Sequence, residues 1–251
     1  MNIYHQNILR NLVIRNLKLK YKNSFLGYLW SLITPLVYLV IFNFVFGMAF
    51  DFIENYSLYV LTGLVFWIFF ANSSNEIIAS LLRNSSIIKS ISIPLEIFPL
   101  SSLITEFINL LLTFVAFIVL MLFFGFQFSW ETILIFPVII LFSLFILGFS
   151  TMLSVLNIYF RDVSILWNTI NPALFYLTPI AFTLDIIPVK YHWILKMNPL
   201  YHFFKGGRDI LYSNSVPGIN CWIYMTILTA VSMFLGYLTL KKLKKGLISN
   251  M

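Results

Sequence analysis

Few residues in this chain have the types and spacing that enzyme chemistry requires. Hydrolysis or glycosyl transfer would need paired carboxylates or a nucleophile beside a base, and Asp51, Glu54 and Asp185 are too scattered to urge such a site. The sequence has no GxxxxGK(S/T) phosphate-binding loop, no GxSxG nucleophile turn and no HExxH zinc motif. The histidines also lack metal-site spacing: His5, His192 and His202. The sequence therefore predicts no catalytic residue, metal site or cofactor site in this chain.

The chain that would position any functional side chain is hydrophobic along nearly its whole length. Of its 251 residues, 60% are hydrophobic and 10% are charged, whereas soluble domains carry about 25% charged residues. Six apolar stretches reach the roughly 20 residues that a helix needs to cross a bilayer, and they lack the alternation of barrel strands. We predict one all-α membrane domain, residues 1–251, with six transmembrane helices at residues 28–50, 57–78, 100–124, 133–158, 163–183 and 218–240.

The distribution of Lys and Arg predicts the orientation of these helices. Cations are enriched on the cytoplasmic side of membrane proteins, and an N-terminus inside the cell places all but four of the 16 Lys and Arg residues there. We therefore expect both termini in the cytoplasm. The four exceptions all lie in one extracytoplasmic segment, residues 186–212: Lys190, Lys196, Lys205 and Arg208. We expect this segment to form two short half-helices that dip into the outer leaflet, with the four cations lining or rimming a mouth.

Several charged positions lie near the predicted cytoplasmic face. Residues 1–24 are amphipathic, which predicts a helix in the membrane interface, although a positively charged flank is the alternative. Arg161 and Asp162 form a solvated turn, a second cytoplasmic contact or a pair that bridges to the N-terminal helix. Glu76 and Glu106 lie near the inner ends of spans two and three. We expect both to be solvated there, although an acid at membrane depth is a functional candidate.

The segment LRNSSIIKSISIP, residues 82–94, is unusually polar for this chain. It predicts a short amphipathic helix, within residues 81–94, in the cytoplasmic loop between spans two and three. Exposed isoleucines rimmed by polar side chains are typical of a contact surface. The helix either lies on its own bundle or the lipid headgroups, or it docks to a soluble partner. The candidate docking residues are Leu81, Arg83, Asn84, Ile87, Ile88, Lys89 and Ile93.

Spans two and five contain polar and proline residues at membrane depth. The polar run ANSSNE, residues 71–76, predicts that the second span ends or breaks there, and Pro172 and Pro179 predict a kink or break in the fifth. Aromatic rings beside these polar residues could stack on the C–H faces of sugars, although lipid-facing bulk is the alternative for each ring. The candidates for such a glycan path are Trp67, Phe70, Trp167, Phe175 and Tyr176.

An ordered set of stretches carries a family resemblance. They are NLKLKYKNSFLGYLWSLITPL, YVLTGLVFWIFF, IIKSISIPLEIFPLS, LNIYFRDVSIL, TPIAFTLDIIP and NPLYHFFKGGRDILY, and together they cover nearly the whole chain. With them the chain resembles the membrane subunit of ABC-2 type exporters of bacterial surface polysaccharides. The resemblance is closest to the O-antigen exporter permeases, with teichoic acid and capsule exporters as near relatives. One departure is IIKS where the family often has IIKK.

The resemblance implies a non-catalytic permease of the bacterial inner membrane that works as a homodimer with two copies of a separate ABC ATPase. That partner subunit would bind ATP and Mg, and no nucleic acid is involved. Residues 81–94 would be the coupling helix, residues 1–24 the interface helix and residues 186–212 the gate helices. The cations at 190, 196, 205 and 208 would meet the substrate's phosphates or anionic lipid. The substrate would be an undecaprenyl-diphosphate-linked glycan that moves out of the cytoplasm.

Two other classes of protein compete with this interpretation. A secondary transporter driven by an ion gradient would show inverted repeats and buried acids at the midplane, and the sequence shows no clear repeat. A membrane glycosyltransferase or ligase would need the paired carboxylates or nucleophile that the sequence lacks. Only the ABC transporter needs the coupling segment as its source of energy, so disruption of that segment discriminates between the classes.

Overall fold

The computed structural model describes residues 3–22, 24, 26–91, 93–126 and 128–250, and this part of the chain is all-α, without strands. Residues 1, 2, 23 and 92, which fall within the predicted interface and coupling segments, lie outside it. Short 3-10 turns lie at Gly27–Leu29, Trp130–Leu134, Leu184–Ile186 and Val189–Tyr191. The α-helices are α1 Ile3–Tyr21, α2 Trp30–Phe46, α3 Tyr56–Arg83, α4 Ser85–Ser90, α5 Ile97–Phe123, α6 Ile135–Tyr159, α7 Asp162–Leu177, α8 His192–Met197, α9 Pro199–Leu211 and α10 Ile219–Asn250.

Within the described residues, four stretches are long and apolar enough to cross a membrane: Tyr56–Arg83, Ile97–Phe123, Trp130–Tyr159 and Ile219–Leu243. They correspond to predicted spans two, three, four and six. The helices in the other two predicted spans are shorter, with 17 residues in α2 and 16 in α7. At 1.5 Å per residue each is about 25 Å long, less than the roughly 30 Å of a hydrocarbon core. Six crossings, dipping half-helices and cytoplasmic termini therefore stay predictions.

Helix α3 forms the centre of the bundle. It packs against α2, α5, α6, α7 and α9, and most of its residues are buried. Helices α6 and α10 pack against each other with almost no space between their backbones. A Cβ atom on Gly148 would lie 2.4 Å from the backbone nitrogen of Met233, and one on Gly236 would lie 2.5 Å from the carbonyl oxygen of Gly148. Glycine at both positions therefore permits this close approach.

The prediction that the second span ends within residues 71–76 is wrong, because α3 continues to Arg83. Ser73 and Ser74 are fully buried in the bundle. The hydroxyl of Ser74 donates to the carbonyl of Ala71 and accepts from the indole nitrogen of Trp167 at 3.2 Å. Polar side chains that find partners on their own and neighbouring helices do not interrupt a helix. In the fifth span, α7 continues through Pro172 and ends at Leu177, two residues before Pro179. The helix therefore breaks before the second of the two prolines and not at the first.

Candidate functional site

An open groove lies between α2, α3 and α7. Its volume is about 550 Å³, and rings from all three helices line it. The rings of Trp67 and Phe175 meet edge to face with 5.2 Å between centroids, and the ring centroid of Phe42 lies 5.7 Å from that of Phe175. Tyr176 and the amides of Asn72 and Asn171 complete this part of the wall. We call this feature the aromatic groove. Flat apolar faces beside amides suit a ligand that is both ringed and hydroxylated.

The structure brings three of the five predicted path aromatics, at positions 67, 175 and 176, into this groove. The other two, Phe70 and Trp167, lie in the packed core. Phe70 is 2% exposed and stacks on Phe142. Trp167 is 6% exposed and is fixed by its hydrogen bond to Ser74. Both rings therefore support the wall of the groove from behind, and in this structure neither offers a face to a ligand.

A smaller cavity, about 120 Å³, lies next to the aromatic groove and shares Thr34, Ile68 and Asn72 with it. Helices α1, α2, α3 and α5 enclose it. Polar side chains of α1 and α5 line it together with Trp30 and Thr113, and we call it the polar cavity. Its position places it between the aromatic groove and the predicted cytoplasmic face.

An ion pair between α1 and α5 lines the polar cavity. The ammonium of Lys20 donates to both carboxylate oxygens of Glu106, at 2.8 and 2.7 Å. Asn109 donates to the same carboxylate at 3.2 Å and accepts from the hydroxyl of Tyr21 at 2.8 Å. Glu106 is 2% exposed, so the expectation that water solvates it is wrong. A buried carboxylate needs a paired cation in place of water, and Lys20 supplies it.

Glu76 behaves as the sequence predicted. Its carboxylate accepts a hydrogen bond from Arg83 at 2.6 Å, and both side chains are about two-fifths exposed. An ion pair in that setting contributes about 0–1 kcal/mol to stability. The pair therefore leaves Arg83 free to exchange partners at little cost.

The predicted coupling segment consists of the last turn of α3, a break at Asn84 and the six-residue helix α4. The expectation that its isoleucines are exposed is wrong for Ile88, which is 6% exposed and packs in a cluster with Leu12, Leu81 and Phe98. Ile87 and Ile93 are partly buried against the same cluster. One side of the segment therefore lies on its own bundle, which is the first of the two alternatives that the sequence left open.

The opposite side of this segment is open. Its exposed residues are Ser86, Lys89, Ser90 and Ile91, and we call them the α4 patch. Arg83 is also exposed, but it pairs with Glu76 on α3. Ile91 is 46% exposed. An apolar side chain surrounded by polar and basic ones fits a protein contact. The structure thus divides the predicted docking residues into a buried set that seats the helix and an exposed set that faces outward.

Helix α1 braces the joint between α3 and α4. The guanidinium of Arg15 donates to the side-chain oxygen of Asn84 at 2.6 Å, and the Asn84 amide donates to the carbonyl of Ser80 at 2.7 Å. Asn84 is 3% exposed, so this predicted docking residue lies inside the joint. Burial and the neighbouring guanidinium of Arg83 lower the pKa of Arg15. Because Arg15 of α1 bonds to Asn84 at this joint, a movement of α4 would also displace α1.

Arg161 and Asp162 begin α7 and are exposed. The carbonyl of Arg161 accepts a hydrogen bond from Ser164 at 3.0 Å. Within the described part of the chain neither residue forms an ion pair, so the structure does not contain the bridge to α1. A solvated turn and a second contact surface both remain compatible with this position.

The cations of segment 186–212 fall into two groups. Lys190, Lys196 and Lys205 are exposed, with Lys205 paired to Asp209 at 2.7 Å one helical turn away. Arg208 is buried. Its guanidinium donates to the carbonyls of Pro179 and Ile180 and stacks 3.8 Å above the ring of Tyr59. These contacts favour a structural role for Arg208 over the predicted contact with phosphates.

Arg208 belongs to a set of side chains that satisfies the irregular backbone after α7. The hydroxyl of Tyr56 donates to the carbonyl of Ala181 at 3.1 Å, and that of Tyr59 donates to the carbonyl of Phe182 at 2.7 Å. Four consecutive carbonyls, at residues 179–182, thus accept hydrogen bonds from α3 and α9. Irregular backbone at membrane depth is tolerated only when protein groups satisfy it in this way.

The sequence predicted no side-chain partner for Lys20 or for Arg15. A signal for Lys20 was present, because an acid inside an apolar span requires a nearby cation, and Lys20 is one of the cations predicted at the same, cytoplasmic end of the bundle. No comparable signal marked the contact of Arg15 with Asn84.

Comparisons with known proteins agree on one family. The family described as "ABC-2 type transporter" matches residues 8–212. The O-antigen export system permease protein RfbA of Klebsiella pneumoniae is 33% identical over 80% of this chain and 79% of its own length. A protein of the same name from Myxococcus xanthus is 26% identical over 85% of this chain and 83% of its own. The polysialic acid transport protein KpsM of Escherichia coli is 22% identical over 95% of this chain and 94% of its own.

Proposed function

The chain belongs to the ABC-2 type transporter family, and from this premise we propose that it is the permease subunit of an ATP-driven exporter of a bacterial surface polysaccharide. It is a multi-pass protein of the bacterial inner membrane. The O-antigen class is the substrate we favour, because the relatives at about a third identity are O-antigen export permeases. The chain itself hydrolyses nothing, and a separate ABC ATPase supplies the energy.

The aromatic groove is the observation that carries this proposal. An ordinary lipid-facing groove has no need of amides, and Asn72 and Asn171 lie in its wall among rings. Sugar rings offer C–H faces to aromatic side chains and hydroxyls to amides. The groove is open to one side of the bundle, as half of a path would be. We propose that two copies of the chain meet along this side and that the glycan, carried on an undecaprenyl diphosphate, passes between them.

The ATPase docks, in this proposal, on the α4 patch. ATP binding draws two ATPase subunits together, and each carries its α4 with it. Because Ile88 seats α4 in the bundle and Asn84 bonds to α1, the movement reaches α1 and α3 as a rigid displacement. The exposed cations at 190, 196 and 205 lie beyond the other end of α7, where they would meet phosphates or anionic lipid.

A charge reversal in the α4 patch tests the docking. We expect Lys89→Glu to reduce co-purification of the ATPase by about tenfold or more and to reduce export with it. In this proposal Lys89 faces an acidic side chain of the ATPase, and two like charges at that contact would cost a few kcal/mol. Lys242→Glu is the matched control, since Lys242 is an exposed cation at the same predicted end, on α10. Ile88→Asp is unsuitable, because Ile88 is buried and its loss would unseat α4. Normal co-purification and export by the Lys89 variant would count against the docking surface.

Deletion of the gene tests the function. We expect surface O-antigen to disappear and lipid-linked glycan to accumulate inside the cell, with both effects reversed by the intact gene. Capsule export is the second candidate, because the polysialic acid transport protein aligns over nearly the whole chain. Loss of capsule with intact O-antigen would select it. A deletion strain with every surface glycan at its normal level would refute polysaccharide export, and loss of an ion-driven flux would favour a secondary transporter.

A further inference from the structure

Three cavities follow one another from the end of the bundle near α4 to the aromatic groove. The first has a volume of about 280 Å³ and lies between α1, α3 and α5; we call it the vestibule. It shares Lys20 and Glu106 with the polar cavity. The polar cavity in turn shares Thr34, Ile68 and Asn72 with the aromatic groove. The ion pair between Lys20 and Glu106 therefore lies at the boundary between the first two cavities.

The vestibule is unusually charged for a cavity in so apolar a chain. Its lining contains two acids and two cations, Glu76, Glu106, Lys20 and Arg83. Each cation bonds to one acid, Lys20 to Glu106 and Arg83 to Glu76. The site is thus neutral without a ligand, although both cations remain partly exposed, at 33% and 40%. Cations that are held by internal acids and can still be reached from outside are suited to exchange one anion for another.

We propose that the vestibule binds the diphosphate head group of an isoprenoid-linked substrate. Until the substrate arrives, the Glu106 carboxylate pairs with Lys20 where a phosphate would otherwise bind. This inference rests on the proposed function. A diphosphate offers several charged oxygens, enough to engage Lys20 and Arg83 together. Once displaced, Glu106 keeps its hydrogen bond from Asn109, and water that enters as the vestibule joins the polar cavity takes the place of the Lys20 ammonium. Lys20 lies in the last turn of α1, which is the predicted interface helix, and such helices lie at the level where lipid head groups meet water.

The exchange has a structural consequence. Lys20 connects α1 to the buried carboxylate of Glu106 on α5 through two hydrogen bonds. When Lys20 binds the head group instead, these two bonds break, and the vestibule and the polar cavity can join. The lipid-linked end of the substrate then lies at the entrance of a continuous route to the aromatic groove, while the isoprenoid chain stays in the bilayer beside α1 and α2.

The two halves of the ion pair should respond in opposite directions, which separates a binding role from a structural one. Glu106→Gln removes the internal competitor, so the diphosphate should bind about tenfold more tightly. Lys20→Gln removes a charged contact, so binding should weaken about tenfold, as expected for one charge-assisted hydrogen-bonded contact. A pair that only holds α1 in place would make both variants weaken alike.

The experiment uses the permease purified with its ATPase in nanodiscs of phosphatidylcholine, with radiolabelled geranylgeranyl diphosphate as the probe. Geranylgeraniol and inorganic diphosphate are the competitors, and we expect the alcohol and the free anion to compete poorly. Lys18→Gln is the matched control, because Lys18 is an exposed cation on α1 outside the vestibule. Arg83→Gln is a second variant on an exposed pair, and it should weaken binding several-fold even if Lys20→Gln does not fold.

Several results would overturn the inference. They are equal weakening by the Glu106 and Lys20 variants, unchanged binding in both, a Lys18 variant as weak as the Lys20 variant, competition by geranylgeraniol, and inorganic diphosphate binding as tightly as the lipid. The proposed function fails separately. If the deletion strain keeps its surface glycans, export is refuted whatever the binding data show. If deletion abolishes export and the variants bind normally, only the vestibule assignment fails.

Discussion

Arg208→Met should destabilise the protein by about 3 kcal/mol or more while the exposed cations around it tolerate the same change. The guanidinium of Arg208 donates to the carbonyls of Pro179 and Ile180. Methionine fills much of the same volume but leaves two buried carbonyls without donors, at about 1–3 kcal/mol each. It also removes the stacking on Tyr59. The measurement is the midpoint of thermal unfolding in detergent, followed by size-exclusion chromatography.

Lys205→Met is the matched control, because Lys205 lies one turn earlier in α9 and makes only an exposed pair with Asp209. Such a pair contributes about 0–1 kcal/mol, so its midpoint should hardly move. The comparison also decides between the two roles considered for Arg208. If the Arg208→Met variant keeps the wild-type unfolding midpoint but its cells no longer export the glycan, the residue contacts substrate and the structural assignment is contradicted.

Gly148→Ala should be severely destabilising, although alanine favours helices by about 1 kcal/mol over glycine. The new methyl group would lie 2.4 Å from the backbone nitrogen of Met233 and 2.5 Å from the carbonyl oxygen of Ser232. Backbone atoms cannot rotate away as a side chain can, so α6 and α10 would have to separate along their shared face. Overpacking of this kind costs about 1–3 kcal/mol or more.

Gly218→Ala is the control for this second prediction, since a Cβ atom at Gly218 would meet nothing within 4 Å. The fraction of each variant that elutes as a single peak after extraction measures the effect. We expect most of the Gly148 variant to be lost and the Gly218 variant to match the wild type. Equal recovery of both variants would mean that α6 and α10 do not approach as closely as the structure has them.

Composition and the apolar stretches together predicted the class of fold, because a chain with so few charges belongs in a membrane and stretches of about 20 apolar residues without alternation cross it as helices. It could not predict where α3 ends. The polar run at residues 71–76 looks like an interruption in the sequence, yet Ser74 finds a partner in Trp167, 93 residues later. A contact so distant in sequence leaves no local pattern. The same reason explains why Phe70 and Trp167 were expected in a path and lie in the core.

Arg208 and Ile88 illustrate the limits of reading exposure from residue type. Arg208 is a cation in a polar segment. Its partners are the carbonyls of Pro179 and Ile180, 29 and 28 residues earlier in the chain, where the backbone is irregular and these carbonyls have no helical partner. Ile88 looked like a docking residue because an amphipathic pattern predicts which side of a helix is apolar. The pattern does not predict whether that side packs on its own bundle or on a partner. In the structure Ile88 packs in the buried cluster with Leu12, Leu81 and Phe98. Glu106, in contrast, could have been assigned a cationic partner from its position in an apolar span.

The central claim is that this chain is a permease powered by a separate ABC ATPase. The most direct test is purification of the tagged chain from its native membranes in mild detergent, with quantitative mass spectrometry of everything that accompanies it. The account predicts an ABC ATPase in equal amount to the chain, retained by the Lys242→Glu control and lost from the Lys89→Glu variant. A chain that purifies without any ATPase while its cells still export surface glycan would contradict the account.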